Sequence, residues 1–277
     1  MFDRLIVPLD GSKESARGLE VARAVAAAAG GLPLTVVGYA LPSWLPRLRS
    51  ELAELVAAVA PDDDIEVVTE VPSLPMGEAL AALVDEAPSS LVVMSTHGRG
   101  RSEALVGSVA NSLLRHTERP VLLVGPSCEI ARFEPDGQVT VPLDGSRTSE
   151  AILPTVSAWA ALFNSDVELV SVLDPSVSAQ GDGYESAGLA RARRELKRPG
   201  DTVNFDVLHD TKASRAIVDR AEESKSALVA MATHGAEGLN RITAGSVTSA
   251  VTRHAPCPVL VVRPLDHDPH HPRSVST

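Results

Sequence analysis

The sequence predicts an α/β protein built from two tandem copies of one doubly wound domain, each with a five-stranded parallel sheet. Three observations carry that expectation. A set of landmarks recurs in order along the chain, short apolar runs alternate with segments of helical periodicity, and 277 residues with 44 % hydrophobic content suffice for two cores of ordinary size. The landmarks begin with Val-Pro-Leu-Asp-Gly-Ser at Val7 to Ser12 and again at Val141 to Ser146, an offset of 134 residues. Thr96-His97-Gly98 recurs as Thr233-His234-Gly235 at an offset of 137. Gly107-Ser108-Val109 recurs as Gly245-Ser246-Val247, Arg115-His116 as Arg253-His254, and Pro120-Val121-Leu122 as Pro258-Val259-Leu260, all at an offset of 138. An order kept with so little drift marks duplication of a whole domain, not a short solenoid unit.

In the first copy, Leu5 to Leu9 is an apolar run ending at Asp-Gly-Ser, which reads as a buried first strand. Ser12 is placed to cap a helix in which Leu19, Ala22, Ala26 and Ala29 keep helical spacing, and Gly30-Gly31 stops it. A strand near Leu34 to Tyr39, a helix near Pro46 to Val59, a strand near Ile65 to Val71 and a helix near Met76 to Glu86 follow. Leu91 to Ser95 is apolar enough for a parallel strand covered on both faces. A loop, a helix starting near Gly107 and a last strand, Val121 to Val124, complete the copy.

The second copy repeats this plan, with strands near Val139 to Leu143, Val167 to Leu173, Val203 to Leu208, Leu228 to Ala232 and Val259 to Val262. Its first helix is expected to present Ile152, Val156, Trp159, Ala160 and Phe163 on one face. Alternation of this kind implies right-handed crossovers and a Rossmann-like sheet with helices on both sides. The expected boundaries are 1–128 for the first domain, a polar linker 129–137, 138–264 for the second domain, and a disordered tail 265–277 that carries His267, His270 and His271.

Composition excludes several function classes. No apolar run approaches the roughly 18–20 residues of a membrane span, and the first ten residues lack the pattern of an export signal. Two cysteines, Cys128 and Cys257, cannot build a disulfide framework and fit a reducing cytoplasm. The net charge is −11, and a split after residue 130 leaves −7 and −4, so neither copy is a general nucleic-acid binder.

One small phosphate ligand remains open, because local backbone dipoles decide that binding. Ligands of such sheets sit at the carboxyl ends of the strands, where the strand order switches. Two loops per copy meet that rule: the one after the first strand, with Asp10 or Asp144, and the one after the fourth, with His97-Gly98 or His234-Gly235. The second loop runs through glycine into a helix that begins Gly-Ser. Glycine lets a phosphate come close, and the first helical amides have no intrahelical partner. Ser108 or Ser246 would add a hydroxyl, and Asp10 or Asp144 could reach a ribose hydroxyl or hydrated magnesium. The plainer reading is that both aspartates only bond the amides of their own turns.

Together these residues resemble the universal stress proteins in their tandem two-domain form. The likeness spans nearly all of residues 2–264 and rests on the VPLDGS openings, the MSTHG and MATHG strand ends, the GSV helix starts and the closing VLLV and VLVV strands. ATP-binding members of that family carry Gly, two residues, Gly, nine residues, then Gly followed by Ser or Thr. The second copy has Ala232, Gly235, the nine-residue spacing 236–244 and Gly245-Ser246, and departs only at the first glycine. The first has Ser95, Gly98, a shorter spacing 99–106 and Gly107-Ser108. The resemblance implies a nucleotide site in each copy. In the second it comprises Pro142, Leu143, Asp144, Val172, Met231, Ala232, His234, Gly235, Gly245, Ser246 and Val247; in the first, Pro8, Leu9, Asp10, Tyr39, Met94, Ser95, His97, Gly98, Gly107, Ser108 and Val109. The tighter site is expected in the second copy, while Arg99 and Arg101 could meet phosphates in the first. The resemblance further implies that the last strands of the two copies pair as a pseudo-dimer, that two chains associate, and that ATP occupancy signals to a partner.

Catalysis is not expected. His97 and His234 lack the neighbours of a Ser-His-Asp or Cys-His arrangement, there is no Walker lysine, and the signatures of nucleotidyltransferases and ligases are missing. The competing function is an interaction module of the same family that has lost ATP.

Overall fold

A computed structural model describes residues 2–98, 107–176, 182–196, 203–233 and 245–264. The first half runs β1 (Arg4–Pro8), α1 (Lys13–Ala28), β2 (Leu34–Tyr39), α2 (Leu45–Val59), β3 (Ile65–Glu70), α3 (Met76–Asp85), β4 (Ser90–Ser95), α4 (Ser108–His116) and β5 (Val121–Val124). The second runs β6 (Val139–Pro142), α5 (Arg147–Glu150), α6 (Leu153–Phe163), β7 (Val167–Leu173), α7 (Asp182–Leu196), β8 (Val203–His209), α8 (Ala213–Glu223), β9 (Leu228–Ala232), α9 (Ser246–His254) and β10 (Val259–Val262). The strands expected from apolar runs are all present, with ends shifted by a residue or two.

The two five-stranded sheets are one. Strand order is β3-β2-β1-β4-β5-β10-β9-β6-β7-β8, so the second half mirrors the first about the β5–β10 seam. Within each half the pairings are parallel, whereas β5 and β10 pair antiparallel, with Val259 opposite Leu123, Leu260 opposite Leu122 and Val261 opposite Val121. Leu122 and Leu260 are equivalent positions of the repeat, so the pseudo-twofold axis passes between them. The pairing that the resemblance implied thus exists within the chain, and it covers the two edges that four-residue apolar strands would otherwise expose.

Successive residues of each central strand serve opposite faces. Leu5, Val7, Leu91, Val93, Leu122 and Leu260 join the apolar layer under α1, α2 and α6, while Ile6, Val92, Met94, Leu123 and Val259 join the layer under α3, α4, α8 and α9. Both layers run across the seam without interruption, and each fully buried leucine contributes roughly 1.5–3 kcal/mol.

One expectation is corrected and another gains detail. The single helix predicted through Ile152 and Phe163 is broken: α5 ends at Glu150 and α6 starts anew at Leu153. Pro154 explains the break, because it has no amide to continue the ladder and its ring clashes with the preceding turn, so it is accepted only at the start of a helix. The segment 129–137 is more than a polar linker. It holds a 3-10 turn (Ile130–Arg132) and a buried Phe133. Its backbone is tied down: the Glu129 amide donates to Pro256 O at 2.7 Å, and Pro135 O accepts from Trp159 Nε1 at 3.1 Å and from Ser165 Oγ at 3.0 Å. The expected tail, 265–277 with its three histidines, lies outside the described residues.

Gly125 tests the seam. A Cβ placed on it would stand 1.9 Å from Thr252 O, and that atom belongs to backbone that cannot swing aside. Gly125→Ala is therefore expected to cost about 1–3 kcal/mol, the usual range for overpacking, and to lower the thermal midpoint of both halves together. Calorimetry showing an unchanged midpoint, or one half melting alone, would contradict a seam packed this closely.

Candidate functional site

The switch in strand order falls between β1 and β4 in the first half and between β6 and β9 in the second. Past the end of β1, Gly11 turns the chain with φ +80°. Asp10 Oδ1 accepts from the Ser12 amide at 2.9 Å and from the Ser12 hydroxyl at 2.6 Å, and Ser12 Oγ in turn accepts from the Ser15 amide at 3.1 Å, capping α1. The second half repeats this relay. Gly145 has φ +79°, Asp144 Oδ1 accepts from Ser146 N at 3.0 Å and Ser146 Oγ at 2.6 Å, and Ser146 Oγ accepts from Ser149 N at 3.0 Å. Each aspartate therefore fills the turn role that the plainer reading gave it.

The helices after the fourth strands start differently. Gly107 and Gly245 are their N-cap residues, and neither provides a side chain to accept from the first-turn amides. Gly107 N donates to Thr96 O at 3.0 Å and Gly245 N to Thr233 O at 2.8 Å, which ties each helix start to its strand end. A Cβ on Gly107 would lie 2.5 Å from Thr96 O, and one on Gly98 would lie 2.3 Å from Asp10 Oδ2. Glycine at both places keeps the two loops together. What results in the first half is an electropositive helix end, without a side-chain cap among the described residues, near a turn aspartate.

Between them lies a cavity of about 540 Å³, within the roughly 300–1,000 Å³ typical of small-molecule sites. The eleven first-half residues of the site that the resemblance implied all line it: Pro8, Leu9, Asp10, Tyr39, Met94, Ser95, His97, Gly98, Gly107, Ser108 and Val109. Of the second-half set, Pro142, Leu143 and Asp144 close β6, Val172 belongs to β7, Met231 and Ala232 end β9, and Gly245, Ser246 and Val247 open α9, all at the equivalent end of the sheet. Thr248 Oγ1 donates to Ala232 O at 3.1 Å, fastening α9 to β9. His234 and Gly235 lie outside the described residues, as do Arg99 and Arg101.

The other wall of the first-half cavity was not anticipated. Leu41, Trp44, Arg47, Leu48 and Glu51 come from the entry to α2 and its first turns, and Met76 and Leu80 come from α3. Leu41 is 66 % and Trp44 52 % exposed, Arg47 stacks 5.3 Å over the Trp44 ring, and Arg47 Nε donates to Glu51 Oε1 at 2.7 Å. A signal was available: Leu41 to Leu45 is an apolar, tryptophan-bearing run in a chain with 3 % aromatic residues.

Two groups in the cavity have shifted acidities. Tyr39 is held above the usual phenol range by burial and by repulsion from Glu70, the residue opposite it on β3. His97 is held below the usual imidazole range, first by burial and then by the Arg253 and Arg17 guanidiniums, and its Nδ1 shares a hydrogen bond with Thr96 Oγ1 at 2.8 Å.

Comparison with known proteins places this architecture. The chain is 28 % identical over 294 residues to universal stress protein Rv2005c of Mycobacterium tuberculosis, covering 94 % of this chain and 96 % of that one. It is likewise 28 % identical over 263 residues to universal stress protein Rv2623 of the same organism, covering 84 % and 87 %. Among solved structures, a universal stress protein from Archaeoglobus fulgidus superposes with a TM-score of 0.71 at 20 % identity, over 94 % of this chain and 98 % of that one, a likeness of fold. Residues 1–125 and 137–263 each match the universal stress protein family pattern, and the chain belongs to that family as a tandem-domain member.

Proposed function

We propose that the protein binds ATP in the first-half cavity and uses occupancy, not turnover, as a signal in a stress response. The observation that carries this reading is the convergence of the eleven first-half residues that the resemblance implied on one cavity of suitable size. The Gly98 loop and the uncapped start of α4 would take the phosphates. Val37, Tyr39, Leu41, Trp44 and Leu80 form an apolar wall suited to a base. Asp10, whose Oδ2 faces Gly98, would serve the ribose or an outer-shell magnesium, an ion that keeps most of its waters. A corresponding site in the second half, around Asp144 and Gly245-Ser246, is part of the proposal, as is action in a reducing cytoplasm, where Cys128 and Cys257 stay as free thiols. Binding without efficient hydrolysis is favoured by His97, whose imidazole is engaged by Thr96.

The chain carries its own reporter. Its two tryptophans are Trp44, exposed at the cavity, and Trp159, fully buried in the second half. ATP is expected to change Trp44 emission in a saturable way, with Trp44→Phe removing the signal. Gly98→Val, which places bulk against Asp10 Oδ2, should weaken ATP at least tenfold, about 1.4 kcal/mol, without loss of fold. A saturable signal unaffected by Gly98→Val would rule out this cavity, and no signal in the wild type together with no heat of binding would favour the interaction module.

Asp10→Ala is expected to act twice: it removes the order imposed on the Ser12 cap, costing about 1 kcal/mol of stability, and it lowers ATP affinity. A stability loss with unchanged affinity would confine Asp10 to its turn. Wild-type protein incubated with ATP and magnesium should show no efficient multiple turnover by phosphate release; sustained turnover would overturn the binding-only assignment.

A further inference from the structure

The antiparallel seam has a geometric consequence for the first-half site. Because β10 runs against β5, the start of β10 lies beside the end of β5, and the last turn of α9 is carried to the end of the sheet where the first-half cavity opens. Gly125, just past β5, packs against this turn: its Cβ position lies 1.9 Å from Thr252 O and 3.8 Å from Arg253 Cα. The same short stretch holds Arg17, whose Nη2 donates to Gly125 O at 3.2 Å and to Cys128 O at 2.6 Å. One residue earlier, Val124 O accepts from the Thr96 amide at 3.0 Å, beside His97 in the cavity wall. Val124-Gly125 thus joins the Thr96-His97 strand end to the stretch that Arg17 bonds and the Arg253 backbone packs on, and both guanidiniums help hold the His97 imidazole below its usual range.

These two cations have no countercharge among the described residues. Arg17 meets the Gly125 and Cys128 carbonyl oxygens and the neutral Cys128 thiol, and its buried Nε has no partner. Arg253 has neither an ion pair nor a side-chain hydrogen bond there. Two guanidiniums without an ion pair among the described residues, at the end of the sheet where Asp10 adds a carboxylate to the cavity wall, favour an anion there.

We infer that Arg253, contributed by the second half, supplies charge to the phosphates of the nucleotide in the first half, so that the first-half site is complete only when the seam is closed. Arg17 supports it from the first half. The inference rests on the nucleotide reading above and adds to it a cross-domain residue that links occupancy to the docking of the two halves. A bound polyphosphate would strengthen the seam, and loosening of the seam would weaken polyphosphate binding by the same factor, since linkage is reciprocal.

The test is a titration of the full chain with ATP and with adenosine, read by Trp44 emission, for wild type, Arg253→Met, Arg253→Gln and Arg253→Lys. The two neutral variants are expected to weaken ATP about tenfold and adenosine less than twofold, with Arg253→Lys recovering most of the ATP affinity. Unchanged ATP affinity in both neutral variants overturns the inference alone. So does an equal loss for ATP and adenosine, which is the signature of a helix-end cation that merely steadies α9. Wild type that binds neither ligand overturns the nucleotide reading and this inference together. A second readout is the His97 titration by NMR without nucleotide: it should move to higher pH in Arg253→Met, and an unmoved titration overturns the placement of the guanidinium beside the cavity.

Discussion

The arrangement depends on the antiparallel pairing of β5 with β10. Each half ends in a strand of four buried apolar residues, Val121–Val124 and Val259–Val262, whose unpaired amides and carbonyls would otherwise lie open at an edge. Pairing them satisfies the backbone groups of both edges at once and joins the apolar layers on both faces of the sheet. The seam strands are buried throughout, as expected of central strands rather than edges.

The same pairing brings the end of each half's glycine-loop helix against the other half. Gly125 lies under the last turn of α9, and Arg263, its repeat equivalent, donates from Nη1 to Arg115 O at the last turn of α4. The amino ends of α4 and α9 face the ligand end of their own sheets, while their carboxyl ends are held by the opposite half. A rigid helix with its two ends in different environments is a simple physical means by which a phosphate at one end could alter packing at the other.

Duplication has not left the halves identical. The relay of aspartate, serine and glycine after the first strand is kept almost to the tenth of an ångström, because a left-handed glycine and a capped helix leave it little freedom. Elsewhere the copies diverge. Helix α1 is one unbroken run of 16 residues where the second half has α5 and α6 with Pro154 at the restart, and the apolar entry to α2 with Trp44 has no counterpart in the landmarks of the repeat. Tyr39 stands where the second half has Val172, so these equivalent positions differ in size and polarity.

The sequence by itself determined most of what depends on local pattern, the break at Pro154 being the local signal left unread. The repeat, the strand runs, the helix of Leu19 to Ala29, the caps at Ser12 and Ser146 and the glycine landmarks follow from side-chain period, turn chemistry and capping, all of which act within a few residues. Through the family resemblance it also pointed to much of one wall of the first-half cavity, built from the ends of β1, β2 and β4 and the start of α4, while Ser15, Val37, Ala40 and Ala110 were added by the structure. Tertiary structure decided what several distant segments do together. Trp44, Arg47 and Met76 reach the cavity only because α2 and α3 pack where they do, and Phe133 and Pro135 anchor a segment whose composition reads as a polar loop. Arg253 comes to Gly125 at the end of β5 through the direction of one strand pairing: a parallel seam would have carried the last turn of α9 to the other end of the sheet. Periodicity records which face of an element is apolar, but it holds no record of how the finished elements are turned toward one another.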